Sequence, residues 1–253
     1  MTRIFTLANN KGGVTKTTTT VNLAYGLARA GRRVRVIDTD AQSNSTYSLL
    51  GQLSQDNTLF DVLFNNARLA DIIVGTKQER LYVAPSSIDL SAADLLMANA
   101  TGRERKLKRA LAPVSEDFDY VLIDTPPNLG IITINAFIAC TDVIIPIALT
   151  TYALIGITIL ERTMAELREN LDVSLPVFGV VANLDDHTRM SADVLAAVRE
   201  HFGSLLFNTV VPRNIKVEEA HNRMTNLFDY APDSTGSKAY TQLVSEVIHR
   251  AEG

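Results

Sequence analysis

The chain has 253 residues, 46% apolar and 21% charged, with no tryptophan, one cysteine and a formal net charge of -4 at pH 7. That length can bury a substantial core, and the composition is that of an ordinary globular protein. The acidic balance excludes a molecule attracted to nucleic acid over its whole surface, and the lone Cys140 excludes an intrachain disulfide or a four-cysteine metal site within one chain.

In chain order the sequence alternates strand-like and helix-like segments. Strands are expected at Ile4–Ala8, Val34–Asp38, Leu81–Ala84, Tyr120–Asp124, Val143–Ile147, Val177–Ala182 and Leu205–Val210, several of them continuous apolar runs suited to parallel strands covered on both faces. Helices are expected at about Lys16–Ala30, Ser91–Leu111, Ile131–Ala139, Ala153–Asn170, Ser191–Phe202 and Gly236–Glu252, with Gly31 closing the first. Repeated βα alternation without a long linker predicts one α/β domain over 1–253, a doubly wound and mostly parallel sheet with ligands at the carboxyl ends of its strands. The first strand begins almost at once, which leaves no room for a signal peptide, and the apolar runs fall short of a membrane span, so a cytoplasmic location is the expectation.

Lys11, Gly12, Gly13, Val14, Thr15, Lys16, Thr17 and Thr18 stand between the first strand and the first helix. A glycine turn feeding a helix N-terminus presents backbone N–H groups and a positive dipole end to an anion. In a phosphate loop of this kind Lys16 reaches the outer phosphates and the Thr17 hydroxyl ligates Mg2+. The loop departs from the ordinary pattern: Ala8 fills the first glycine position, Thr15 precedes the lysine, and Lys11 is an additional cation. Two further strands end in carboxylates. Asp38-Thr39-Asp40-Ala41-Gln42 follows the second strand, and Asp124-Thr125-Pro126-Pro127 follows the fourth. Asp124 stands as a Walker B carboxylate for the magnesium shell opposite Thr17, with Asp38 in support, and Asp40 either orients the attacking water, holds Mg2+ through water, or caps a turn.

The pattern Lys-Gly-Gly-x-x-Lys-Thr-Thr resembles the deviant Walker A motif of the ParA/MinD ATPases, and the likeness extends along the whole chain. It implies ATP and Mg2+ as cofactors, catalytic roles for Lys11, Lys16, Asp40 and Asp124, and metal roles for Thr17, Asp38, Asp40 and Asp124. In that family the Asp38–Gln42 stretch forms a first switch, with Ala41 here replacing the usual proline, and Asp124-Thr-Pro-Pro a second. Asn183 would read the adenine edge, the Pro212-Arg213 turn would pack on the ring, and Asn214 would join them in the nucleotide site. Lys11 would cross a face-to-face dimer to the partner's phosphates, following the logic of an arginine finger. The resemblance further implies slow intrinsic hydrolysis, non-specific DNA binding on the nucleoid, and a ParB-like activator. Lys216, Arg213, Arg223 and Arg199 are the DNA candidates, interleaved with Asp193, Glu200, Glu218 and Glu219, and the uncharged Gly203 removes one position where the family makes contact. The basic run Arg103–Arg109 and the cluster Arg29, Arg32, Arg33 and Arg35 are either phosphate-tracking or ordinary solvated faces.

Four other readings remain open at this level: a MinD-like membrane-associated ATPase, an ATPase positioning a protein or organelle cargo, a metabolic enzyme on the same scaffold, and a regulatory nucleotide binder without hydrolysis, to which the departures at Thr15 and Ala41 point. The first needs a basic amphipathic tail, whereas Tyr240–Arg250 has little positive charge and reads as a packing helix.

Overall fold

The computed structural model describes residues 2–53, 56–114, 116–223 and 225–253. Its eight strands are β1 (Arg3–Leu7), β2 (Val34–Asp38), β3 (Val74–Gly75), β4 (Leu81–Ala84), β5 (Tyr120–Asp124), β6 (Asp142–Ala148), β7 (Val177–Asp185) and β8 (Leu206–Pro212). They form one sheet in the order β3-β4-β2-β5-β1-β6-β7-β8, parallel throughout except for the β3–β4 pair. The chain winds leftward from β1 and then crosses from β5 to β6 on its other side, so the switch point of the sheet lies beside β1.

Helices cover both faces. They are α1 (Lys16–Arg29), α2 (Asn44–Leu50), α3 (Leu59–Phe64), α4 (Leu69–Ile72), α5 (Ala93–Leu96), α6 (Lys106–Leu111), α7 (Ile131–Ala139), α8 (Ala153–Leu171), α9 (Arg189–Phe202), α10 (Ile215–Asn222), α11 (Leu227–Tyr230) and α12 (Thr235–Glu252). The period-2 alternation of β5 sorts the two cores. Tyr120 and Leu122 pack with α1 and α12, whereas Val121 and Ile123 pack with α3 to α7. A third cluster places Val143, Ile145 and Ile147 of β6 under α8 and α9. Burial of α12 through Tyr240, Leu243 and Val247 accounts for its apolar spacing. No helix among the described residues is long and apolar enough to cross a membrane.

The seven expected strands form, with ends moved by up to three residues, and β3 is additional. Gly31 closes α1 as expected: at φ 85 it adopts the left-handed backbone, its N–H donates to Ala28 O, and Arg32 N–H donates to Leu27 O. The single helix expected over Ser91–Leu111 is instead broken into a short 3-10 turn, α5, a turn at Thr101-Gly102 and α6. The break is stabilised from outside, because Asn135 on α7 accepts from Leu107 N–H and donates to Arg103 O. Helices α2, α3, α4, α10 and α11 lie where the sequence predicts none. Each is at most eight residues long, too short for an apolar period to register.

Candidate nucleotide site

The phosphate loop leaves β1 at the switch point. Ala8 N–H donates to Ile144 O on β6, and the Asn9 amide donates to Pro146 O at 2.8 Å, which anchors the loop to the neighbouring strand. Lys16, the first residue of α1, is 8% exposed and turns inward, its ammonium donating to Lys11 O at 2.9 Å. Burial lowers its pKa, opposed by the charges of Asp124 and Asp40. Thr15 holds φ 67, ψ 30, the left-handed region that costs a β-branched residue most. The ordinary backbone angles that a threonine prefers are therefore not used at this position, and strain is stored at the mouth of the helix.

Asp124 ends β5 and Asp38 ends β2, and the two are direct partners in the parallel register. Both are fully buried. Asp124 accepts from Ser45 at 2.7 Å and Thr20 at 3.2 Å, and it also meets the Thr17 hydroxyl. Both oxygens of Asp38 are occupied, one by the N–H and hydroxyl of Thr46 and the other by Asp40 N–H. Burial raises both carboxyls above the ordinary range, and for Asp38 the Asp124 charge adds to the rise. Asp40, 9% exposed, closes the following turn by accepting from Gln42 N–H.

The hydroxyl of Thr17 and the carboxylates of Asp124 and Asp40 are hard oxygen donors beside a buried ammonium. That is the donor chemistry magnesium takes when it is shared with phosphates. Asp38, with both oxygens satisfied by protein donors, is placed to orient the shell rather than to join it directly.

Lys11 turns the other way from Lys16. Its ammonium donates to Tyr152 O just before α8 and lies 5.4 Å from the Tyr152 ring, and its stem runs close to Gly156. Three strands along the sheet from β5, Asn183 sits inside β7 with no exposed surface; its amide donates to Val181 O at 3.3 Å and its Oδ1 has no hydrogen-bond partner among the described residues. Pro212 pairs with Asp185 at the adjoining end of β8, Arg213 N–H donates to Asp185 O, and Asn214 caps α10 through Lys216 N–H. These four residues thus lie at the carboxyl edge of β7 and β8.

The cationic candidates divide. Lys216 and Arg223 both lie over the Tyr230 ring, at 5.8 and 5.2 Å, with Arg213 just ahead of α10. Lys216 is paired with Glu219 at 2.8 Å. Arg199 stands apart on α9. Elsewhere, Arg103, Arg105 and Lys106 donate to backbone carbonyls, and Arg29 and Arg32 pair with Asp229 and Glu252. Both of those basic clusters therefore have structural duties.

Ser45, Thr46 and Ser86 touch the site and escaped the sequence reading. The available signal was the run Ser43-Asn44-Ser45-Thr46-Tyr47-Ser48, hydroxyl-rich and lacking an apolar period immediately after a pair of aspartates.

The family model described as AAA domain (AAA_31) matches residues 2–177. The sporulation initiation inhibitor protein Soj of Bacillus subtilis is 38% identical over 98% of this chain and 98% of its own length. The chromosome partitioning protein ParA of Caulobacter vibrioides is 38% identical over 98% of this chain and 94% of its own. Among solved structures, cobyrinic acid a,c-diamide synthase from Mycobacterium smegmatis, with a bound ATP analogue and magnesium, superposes with a TM-score of 0.87 at 31% identity, covering 100% of this chain and 96% of that one.

Proposed function

The chain belongs to the AAA-domain family that includes the Soj and ParA partition proteins, and from that premise we propose that it is an ATP- and Mg2+-dependent dimerising ATPase that binds DNA without sequence preference and is discharged by a ParB-like activator. The observation that carries this reading is the opposed pair of lysines on one loop. Lys16 faces inward over the two buried carboxylates, and Lys11 faces outward against α8. An outward lysine is poorly placed to serve its own cradle and well placed to serve a second subunit.

Exposed apolar side chains support a partner at the same edge. Ile88 and Leu95 follow β4, Tyr152 and Ile155 follow β6, Met190 follows β7 and Ile215 follows β8. Leu95 is 80% and Tyr152 66% exposed, and apolar surface clustered on one edge marks an interaction face.

In the reaction Lys16 binds the outer phosphates, Thr17 and Asp124 hold the metal, and Asp40 orients the attacking water. Asp38 fixes the turn that carries Asp40. The metal, when bound, neutralises charge on the phosphate oxygens. The partner's copy of Lys11 adds a charge that each subunit lacks alone, so nucleotide joins the subunits and hydrolysis parts them. Asn183, whose buried oxygen has no hydrogen-bond partner among the described residues, and the Pro212–Asn214 turn suit the base. Arg213, Lys216 and Arg223 are the DNA contacts, with Arg199 in support, and their phosphate contacts make binding fall steeply with salt. Turnover without the activator is slow, and the protein resides on the nucleoid.

Phosphate release measured on the wild type and on Lys11→Ala, each with and without DNA, tests the reading. We expect ATP-dependent release from the wild type and loss of both release and ATP-dependent DNA retention in Lys11→Ala. Unchanged behaviour of Lys11→Ala would remove the shared-lysine mechanism.

A further inference from the structure

Between Asp38 and Thr46 the chain makes a tight loop with no proline, and Ser43 within it is held at φ 55. This loop carries Asp40. Its inner hydrogen bonds, Asp40 N–H to Asp38, Gln42 N–H to Asp40 and Ser43 N–H to Asp40 O, shape the turn, and its flanks are tied to β5 where the N–H and hydroxyl of Thr39 donate to Asp124 O and Ser45 donates to the Asp124 carboxylate. The attachment at Asp40 itself comes from a residue outside the loop. Ser86 lies two residues beyond β4, the strand that pairs with β2, and has no exposed surface. Its hydroxyl donates to Asp40 O at 2.6 Å, and its backbone N–H donates to the Thr46 hydroxyl at 3.0 Å. The Thr46 hydroxyl donates in turn to Asp38 at 2.7 Å.

We propose that Ser86 is a positioning residue for hydrolysis, fixing the Asp40 loop to the end of β4 by holding its first half through the Asp40 carbonyl and its second half through Thr46. The inference rests on the ATPase reading and adds a residue to it. Asp40 O accepts two hydrogen bonds, from Ser43 N–H and from Ser86. Removing the Ser86 hydroxyl leaves the carbonyl satisfied, the turn formed and the Thr46, Thr39 and Ser45 contacts in place, while the direct tie at Asp40 is lost. The loss therefore falls on placement of the Asp40 carboxylate rather than on folding, because a buried acceptor that keeps one donor avoids the full desolvation penalty. Nucleotide affinity, which comes from the phosphate loop, is untouched.

The test compares wild type with Ser86→Ala, Ser86→Thr and Ser86→Cys, by steady-state ATP hydrolysis and by amide hydrogen exchange without nucleotide. A hydrogen bond of ordinary strength corresponds to roughly a five- to tenfold fall in kcat for Ser86→Ala with KM for ATP held within about twofold. Amides of residues 40–46 exchange faster in that variant, while those of β2 and β4 keep wild-type protection. Ser86→Thr, which keeps the hydroxyl, restores both readouts. Ser86→Cys keeps the volume with a weaker donor and lies between, and it carries the same test should alanine unfold the chain. Unchanged kcat together with unchanged exchange at 40–46 would overturn the tether. A wild-type protein without ATPase activity would overturn the functional reading instead, and the exchange comparison would still decide the role of Ser86.

Discussion

The two edges of this single sheet differ in how they hold charge. At the amino edge, Arg35 of β2 is buried over the Phe118 ring, and several other charges are paired. Arg3 pairs with Asp142, Arg32 meets Glu252 through two nitrogens, and Tyr120 adds a hydrogen bond to the same carboxylate. At the carboxyl edge, Asp38 and Asp124 sit side by side out of water, Lys16 is buried beside them, and Thr15, Ser43 and Leu184 all hold left-handed backbone. Leu95, Tyr152 and Ile215 are exposed at that edge. Left-handed residues occur at both edges, with Arg80 and Asp172 at the amino one, but the buried carboxylate pair and the buried lysine beside it lie at the carboxyl edge, where a phosphate site needs them.

Substitutions at the carboxyl edge should therefore cost function and spare or even raise stability, while those at the amino edge should do the reverse. The largest expected effect is Lys16→Ala, which removes a preorganised cation from the cradle. Phosphate release should fall on the order of 100-fold or more, with little change in a denaturation midpoint. A variant with near-normal release would break the assignment of the cradle.

Asp38→Asn comes next. Its folded pKa is raised by burial and by Asp124, so the native state binds a proton more readily than the unfolded chain. The charged form thus destabilises the fold, increasingly as pH rises from about 4, the unfolded value, through the folded value. The stability of wild type relative to the variant should fall between about pH 4 and pH 8, because the introduced amide cannot ionise while its NH2 costs the same misplaced hydrogen bond at both pH values, and the variant should hydrolyse ATP more slowly. Urea titrations at the two pH values read the sign directly, and a wild type that gains on the variant from about pH 4 to pH 8 would contradict a raised Asp38 pKa.

Thr15→Gly sharpens the comparison further. Relief of the left-handed threonine, set against the greater chain entropy of glycine, leaves a net gain of up to about 1 kcal/mol. If ATP affinity and turnover also stay at wild-type values, the threonine has no special role. The smallest effect belongs to the amino edge. Arg32 and then Tyr120 hold Glu252 down to about 2, so its contribution is present above its unfolded value and is lost as pH falls toward 2. Because the pair is partly exposed, Glu252→Gln should cost less than about 1 kcal/mol at pH 7, narrowing between pH 5 and pH 3, with hydrolysis unaffected.

What the sequence revealed follows the same division. Strands such as Val34–Asp38 and Tyr120–Asp124 are continuous apolar runs ending in aspartate, so both the sheet and its carboxylates can be read from composition along the chain. The phosphate loop is legible because its chemistry needs particular residues at fixed spacing. Helix α2 is not, since Ser45, Thr46 and Ser48 are buried by hydrogen bonding, two of them to carboxylates from other strands, and no apolar period announces that. Ser86 is harder still, being 46 residues from the carbonyl it holds. The break between α5 and α6 depends on Asn135 of α7, a contact that no local window contains.

The central claim is that two copies close over bound triphosphate at the carboxyl edge, each lending Lys11 to the other. Sedimentation equilibrium of the 27.7 kDa chain, with and without a non-hydrolysable ATP analogue plus magnesium, tests it most directly. The account predicts a mass that doubles only when both nucleotide analogue and magnesium are present, and a monomeric mass for Lys11→Ala under the same conditions. A wild-type mass indifferent to the analogue would contradict it.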